Sequence, residues 1–204
     1  MVALDIVGID RELSLQVREE LRLKYGLKLP QIALCVSHTH TGPVIGTNLR
    51  LAYTLDAEQE KLIDDYAIAL KQKIVEVVGL ALADVGPSEL AWGMGRATFA
   101  VNRRENKPST VVPERRANGT LRGPVDHEVP VLKVTGADGA MKSVVVGYAC
   151  HCTVLNSYQW SGDYAGYAQR ELEKAYSGAV ALFWAGCGAD QNPLPRRTVT
   201  LAID

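Results

Sequence analysis

The pattern of apolar and polar positions at the start of the chain predicts a strand, a helix and a second strand. Short apolar runs at 4–10 (LDIVGID) and 31–37 (QIALCVS) predict buried strands. Between them an apolar residue recurs every fourth position: Leu13, Val17, Leu21 and Tyr25. This spacing predicts an amphipathic helix that ends at Gly26. Because a strand, a helix and a strand at this spacing form a βαβ unit, we expect the two strands to be parallel neighbours.

The rest of the chain continues this alternation of strands and helices. Asp56 followed by Gln59 is a capping signature for a long helix that reaches about residue 84. We expect, in chain order, a strand, a long loop, a two-stranded hairpin, a helix and a buried strand: 89–101, 102–124, 128–135 with 142–150, 163–176 and 179–186. These elements predict a single α/β domain over residues 1–204, with a mixed, mostly parallel sheet flanked by helices.

Composition and charge favour a globular domain and argue against a nucleic-acid-binding or membrane-spanning protein. The hydrophobic share of 47% and the charged share of 22% are typical of a globular domain. The net charge of −1 offers no electrostatic attraction for nucleic acid, and no apolar run reaches the ~18 residues of a membrane span. The N-terminus lacks the pattern of a secretory signal. Because the chain ends directly in the strand-like run TVTLAID, we expect it to be a fragment of a longer catalytic domain.

The cysteines of this chain are expected to be unpaired and buried. Each lies inside or at the end of an apolar run, where a thiol behaves as a small hydrophobic group: Cys35, Cys150, Cys152 and Cys187. Their spacing is not that of a small disulfide-rich domain.

Three segments that follow predicted strands carry unusual residues. They are SHTHTGP (37–43), CHCT (150–153) and GCGADQNP (186–193). Ligand sites in open α/β sheets lie outside the carboxyl ends of the strands. We therefore expect these three segments to meet in one crevice.

Three histidines in these segments form a candidate metal site. In an extended backbone His38 and His40 point to the same side, and His151 points away from its two cysteine neighbours. Three histidines with an open position for water are a set of ligands typical of catalytic zinc, so we expect Zn2+ here. A hydrogen-bonded pair of histidines is the alternative. His127, at the start of a strand, is expected to be structural or exposed.

The glycine-rich segment 186–193 offers further candidates. Gly186 and Gly188 would let the backbone approach a substrate closely. Asp190 would accept the distal N–H of a histidine and so orient its ring, or would simply cap an ordinary turn. The signature H-x-H-x-D-H of the metallo-β-lactamases does not fit, because Thr41-Gly42-Pro43 follows His40.

Three charged residues outside these segments are also candidates. Asp163 lies at a predicted helix start, where it would act as an N-cap or would orient His151. Arg103 and Arg104 would bind an anionic or polar part of a substrate, or would belong to a solvated loop.

Four sequence blocks together resemble the neutral/alkaline, non-lysosomal ceramidase family. SHTHTGP, PVDHEVPVLKV, ACHCTVLN followed by SGDYAGYA, and FWAGCGADQNP occur in the order seen in that family. The resemblance implies a zinc-dependent amidase that hydrolyses the N-acyl bond of ceramide, located outside the cytoplasm. It also implies His38, His40 and His151 as zinc ligands. The family's additional Glu and Tyr ligands come from beyond the part of the family that this chain matches.

One departure from the family bears on the substrate. Where ceramidases have a serine tied to catalysis, this chain has Asn192, which binds a carbonyl or a water but is not a hydroxyl nucleophile. The chain thus resembles ceramidase-like bacterial hydrolases. We expect hydrolysis of an N-acyl amide, in a ceramide-like lipid or a related compound, by a metal-activated water, with Asn192 and Asp190 as catalytic residues. The alternatives are a binding domain without turnover and a thiol enzyme that pairs Cys187 or Cys152 with His151.

Overall fold

The computed structural model describes residues 1–197 and has the following order of elements. They are β1 (Val2–Leu4), α1 (Arg11–Tyr25), β2 (Leu34–Val36), α2 (Ala57–Ala83), β3 (Ser88–Arg96), β4 (Ala100–Asn102), α3 (Val112–Ala117), β5 (Glu128–Gly136), β6 (Met141–Tyr148), α4 (Asp163–Ala175), β7 (Val180–Ala185) and β8 (Gln191–Pro193). The strand-like run 198–204 lies outside the described residues. None of the helices within residues 1–197 is long and apolar enough to cross a membrane.

The N-terminal βαβ unit forms as predicted, with β1 and β2 parallel. The Asp10 carboxylate accepts a hydrogen bond from the backbone N–H of Leu13 at 2.7 Å, and α1 ends at Gly26, whose φ is 70°. The strand predicted at 4–10 was wrong in position, because β1 ends at Leu4. The apolar Ile6 beyond it is buried in the core without belonging to a strand.

Helix α2 covers this unit and begins at the predicted capping box. Asp56 accepts from the backbone N–H of Gln59, whose side chain accepts from the backbone N–H of Asp56. Apolar side chains of α1, α2 and the adjoining strands and loops form the first core: Ile6, Leu13, Val17, Leu21, Ile32, Ile45, Leu70, Ile74 and Val75.

The larger sheet corrects the expectation of a mostly parallel arrangement. Its order in the described chain is β3-β5-β6-β7, and the β3–β5 and β5–β6 pairs are antiparallel. The pair β6–β7 is parallel, because α4 lies between these strands in the chain and provides the crossover. The tight turn of the predicted hairpin forces β5 and β6 to run in opposite directions. The structure is therefore a mixed α/β fold with a mostly antiparallel main sheet.

The strand predicted at 89–101 is divided into β3 and β4. The hydroxyl of Tyr148 accepts from the backbone N–H of Ala100 at 3.2 Å and donates to the carbonyl of Ala97 at 2.8 Å, which holds the chain between the two strands. Strand β4 then pairs with β8, with Val101 opposite Asn192. The predicted loop 102–124 also contains the short helix α3.

The two faces of the larger sheet differ. One face, together with β4 and α4, forms a second core: Ala100, Tyr148, Cys150, Cys152, Ala165 and Phe183. The other carries apolar side chains that are exposed in the described chain: Leu90, Trp92, Met94, Leu132, Val180 and Trp184. Contiguous apolar surface of this kind is uncommon on an isolated domain.

Candidate metal centre

Backbone hydrogen bonds bring the three predicted segments together beyond the ends of β2, β6 and β7. The N–H of His40 donates to the carbonyl of Cys152 at 3.3 Å, and the N–H of His151 donates to the carbonyl of Gln191 at 3.0 Å. A fourth segment joins them, because the hydroxyls of Thr39 and Thr41 donate to the carbonyl of Ser161 at 2.8 and 3.1 Å. Sequence analysis did not identify this threonine contact.

The ring of His38 is held by a backbone carbonyl. Its Nδ1 lies 2.6 Å from the carbonyl oxygen of Val7. A carbonyl can only accept, so Nδ1 carries the proton and Nε2 keeps a lone pair for a metal. The extended geometry invoked for His38 was wrong, since its φ is 60° and it lies beyond the end of β2.

The ring of His151 is held in the same way by the glycine-rich turn. Its Nδ1 lies 2.9 Å from the carbonyl oxygen of Gly188 and 3.1 Å from that of Gln191. Nδ1 therefore carries the proton and Nε2 is available as a ligand. His151 is also 92% buried, with 8% of its surface exposed, so its ring has little freedom to turn away.

The three rings meet in a geometry that fits a metal ion. Ring centroids are 5.1 Å apart for His38 and His40, 4.9 Å for His38 and His151, and 5.8 Å for His40 and His151. One nitrogen from each ring lies within 4.8 Å of the other two. Nitrogens on a tetrahedral zinc are about 3.4 Å apart, so small ring movements would close the site. His127 lies elsewhere, with its Nε2 bonded to the carbonyl of Ala100 at 3.2 Å.

The surroundings favour the neutral, metal-binding form of two of the rings. His40 is exposed as a residue, yet desolvation of its ring lowers its pKa to about 4, and the charges of His38, His151, Arg197 and Arg196 add to the effect. Burial also lowers the pKa of His151, while its hydrogen bonds to carbonyls act in the opposite direction. Neutral imidazole is the form that binds a metal.

The carboxylate of Asp190 forms no hydrogen bond with a histidine among residues 1–197. It accepts from the side-chain amide of Asn102 at 3.1 Å, and the carbonyls of Gly188 and Gln191 orient His151 instead. Asn192 lies two residues further on, in β8, and its buried Oδ1 has no hydrogen-bond partner within residues 1–197. Asp190 thus belongs to the framework of the turn, and Asn192 presents an unsatisfied acceptor.

The two glycines of this turn differ in how closely they are packed. A Cβ on Gly188 would lie 2.5 Å from the backbone nitrogen of Cys150, a distance that real Cβ atoms do not show. A Cβ on Gly186 would lie 3.2 Å from the Cβ of Ala149, which is tight but not prohibitive. Gly188 therefore allows the turn to lie directly against the segment that carries His151.

Asp163 acts on the backbone that follows His151 and not on its ring. Its fully buried carboxylate accepts from the N–H groups of Val154, Leu155 and Tyr164 at 3.2, 2.9 and 2.7 Å. Its own φ is 54°, an unusual value for a residue other than glycine. The carboxylate fixes both the start of α4 and the loop beyond the metal centre.

Arginines from two segments lie beside the histidines. The N–H of Arg103 donates to the carbonyl of Asp190 at 2.7 Å, while Arg104 is exposed. Sequence analysis missed Arg196, whose Nε donates to the Thr153 hydroxyl at 3.1 Å, and its neighbour Arg197. Their position directly after the GCGADQNP segment was the available signal.

All four cysteines are unpaired thiols in the described chain. Cys150 and Cys152 are buried as predicted, whereas Cys187 is exposed because the turn that carries it projects from the end of β7. Burial raises the pKa of the Cys152 thiol to about 12, so the thiol is protonated and poorly nucleophilic. The Nδ1 of His151 is already engaged by carbonyls, which leaves the proposed cysteine–histidine pair without support.

Comparison with known proteins identifies solved structures that share the fold of this chain. No protein-family model matches the sequence, and no curated protein matches it. A solved structure described as a ceramidase complexed with C2 superposes with a TM-score of 0.69 at 22% identity, over 92% of this chain and 29% of that one. Neutral ceramidase from Pseudomonas aeruginosa gives 0.66 at 24% identity, over 92% of this chain and 30% of that one. The chain spans less than a third of those proteins, and it has the fold of the N-terminal region of neutral ceramidases.

Proposed function

We propose that this protein is a zinc-dependent hydrolase that cleaves an N-acyl amide bond in a ceramide-like lipid or a related amide. The observation that carries the proposal is the histidine triad, whose nitrogens lie within 4.8 Å of one another. The similarity of the fold to proteins described as ceramidases supports the same reaction class. His38, His40 and His151 would hold the ion.

The chain prepares this site before any metal binds. When bound, zinc would act as a Lewis acid that polarises the substrate carbonyl and lowers the pKa of a metal-bound water. The carbonyls of Val7, Gly188 and Gln191 hold the His38 and His151 rings with Nε2 available, so little reorganisation is needed. Pre-oriented ligands of this kind increase metal affinity.

Asn192 is proposed to position the scissile amide. An amide substrate offers an N–H donor and a carbonyl acceptor, and the side chain of Asn192 can pair with either. Its buried Oδ1, which lacks a partner in the described chain, would accept the N–H. Asp190 would serve as a positioning residue, since it holds Asn102 through its carboxylate and Arg103 through its carbonyl.

A binding domain without turnover is the second candidate. It is favoured by Asn192, which stands where ceramidases have a catalytic serine. Such a domain would keep the fold and the metal but would not hydrolyse the substrate.

Zinc titration by calorimetry, combined with assays on a panel of N-acyl amides, tests the proposal. We expect the wild-type protein to bind one zinc and His40→Ala to weaken binding at least about 100-fold, because a ligand is lost. The matched control His127→Ala removes a histidine outside the triad and should bind as the wild type does. Unchanged zinc binding in His40→Ala would contradict the metal site. Zinc binding without turnover of any amide would support the binding domain instead.

A further inference from the structure

Arginines from distant parts of the chain are anchored to the segments that carry or orient His151. Arg103 is tied through its backbone to Asp190, in the turn that orients His151. Arg196 is tied through its Nε to Thr153, two residues after His151, and the N–H of Arg197 donates to the carbonyl of Val154 at 2.9 Å. The charges of these arginines are felt at the triad, because that of Arg103 helps to lower the pKa of His151 and those of Arg196 and Arg197 help to lower the pKa of His40.

The charges of these arginines are only weakly compensated by the rest of the described protein. Within residues 1–197, neither Arg103, Arg196 nor Arg197 forms an ion pair with a carboxylate. Burial lowers the pKa of Arg103 and the adjacent Arg104 lowers it further, whereas the Asp190 carboxylate acts in the opposite direction. Burial likewise lowers the pKa of Arg196, followed by repulsion from Arg197 and Arg103. Positive charges that are partly desolvated and repel each other stabilise a bound anion strongly.

The guanidinium of Arg103 also has an unused donor. Its Nε is buried and has no hydrogen-bond partner among residues 1–197. Buried donors without partners are rare in proteins, and at a candidate site they indicate a missing ligand. A guanidinium presents two parallel N–H groups that match the oxygens of a carboxylate or a phosphate.

We propose that Arg103, Arg196 and Arg197 form a binding site for an oxyanion group of the substrate. The enzyme would then prefer N-acyl compounds that carry a carboxylate or a phosphate near the scissile bond, over a neutral ceramide. The preference in turnover rests on the proposed hydrolase function, whereas anion binding itself does not require zinc.

Calorimetric titration of the metal-free protein with inorganic phosphate tests the site directly. Chelation beforehand prevents phosphate from binding through a metal. We expect Arg103→Gln with Arg196→Gln to weaken phosphate binding at least about tenfold, because hydrogen bonds to charged groups are lost. The control Arg22→Gln removes an exposed arginine from the last turn of α1 and should have no effect.

A second variant keeps this test valid if the glutamines disturb folding, which circular dichroism would reveal. Arg103→Lys with Arg196→Lys retains the charge and should bind phosphate more tightly than the glutamine variant. Equal phosphate affinity in the wild-type and glutamine proteins, or no binding by the wild type, would overturn the proposal.

Turnover of matched substrates tests the preference. The substrates are an N-acyl amino acid, its neutral primary amide, and an N-acyl phosphoethanolamine, which separates carboxylate from phosphate recognition. We expect kcat/KM to be at least about tenfold higher for an anionic substrate than for the neutral amide, and the ratio of the two values to fall towards one in the glutamine variant. Equal kcat/KM for all three would overturn the preference. Phosphate binding without any turnover would leave the anion site intact and contradict the hydrolase proposal alone.

Discussion

His38 and Asp163 share a backbone conformation that is costly for residues with a Cβ. Their φ values of 60° and 54° lie in the left-handed region, at a cost of about 1–2 kcal/mol each. In both cases the side chain binds nearby backbone: His38 bonds the carbonyl of Val7, and Asp163 accepts three N–H groups. Side-chain hydrogen bonds therefore stabilise the strained backbone beside the candidate metal centre.

Replacement of Asp163 by alanine should destabilise the protein markedly. Three N–H groups in a buried setting would lose their acceptor, and we expect the free energy of unfolding to fall by about 3 kcal/mol, measured by urea denaturation. Asp163→Gly, which also removes the carboxylate but suits the positive φ, should lose about 1 kcal/mol less. Glu171→Ala, at an exposed position of the same helix, should leave the midpoint unchanged. A midpoint for Asp163→Ala equal to that of Glu171→Ala would contradict this role.

The residues of the candidate site were only partly predictable from sequence. The three histidines were identified because strand ends converge by a general rule of α/β folds. The carbonyls that orient their rings carry no sequence signal, since any residue can supply a carbonyl. The place of Arg196 beside the triad was only partly predictable: it follows the GCGADQNP segment in the sequence, but its contact with Thr153, 43 positions away, carries no local signal.

Among elements, those defined by local signals were predicted and those defined by distant pairing were not. Gly26 and Asp56 correctly predicted the end of α1 and the start of α2 from a few residues of sequence, whereas Asp10, assigned to a strand, is the N-cap of α1. The direction of the β3–β5 pair and the pairing of β4 with β8 depend on partners far along the chain. The prediction of a mostly parallel sheet was wrong because it assumed that the parallel pairing of β1 and β2 also applies to the larger sheet, which does not contain these two strands.

The turn between β7 and β8 gives a prediction at the scale of an element. Gly188→Ala would push its Cβ against the backbone of Cys150, so the turn must move and its carbonyl would no longer orient His151. We expect zinc affinity to fall about 10–100-fold, measured by competition with a chromophoric chelator. Gly186→Ala is the matched control, because its Cβ would lie no closer than 3.2 Å to any atom of Ala149, and its zinc affinity should stay near that of the wild type. Equal affinities for the two variants would show that the turn does not orient the ring.

For the molecule as a whole, the candidate site depends on contacts between distant segments. The hydrogen bond from His38 to Val7 spans 31 positions, the one from Asn102 to Asp190 spans 88, and the one from Thr39 to Ser161 spans 122. The last of these contacts joins the segment after β2, beside the first core, to the segment before α4, beside the second. The candidate site can therefore form only when both parts of the described fold are folded and in contact.

Hydrogen exchange should show that this junction opens as a unit. The amides of His40, His151 and Arg103 bond carbonyls of other segments, and we expect their protection factors in the metal-free protein to agree within about tenfold. The amide of Gly139, in the hairpin turn, should exchange much faster. Mass spectrometry or NMR would measure both. Rapid exchange of His40 with full protection of His151 would indicate that the segments open independently.

The position of Gln191 in the chain has a consequence for biosynthesis. Its carbonyl accepts hydrogen bonds from both the backbone N–H and the ring Nδ1–H of His151. Gln191, however, is synthesised 153 residues after His38. A ribosome must therefore translate nearly all of this sequence before the pocket can exist. Any metal that the histidines acquire together would therefore bind only after Gln191 has been made, and nascent chains stalled upstream of β8 should be unable to retain it.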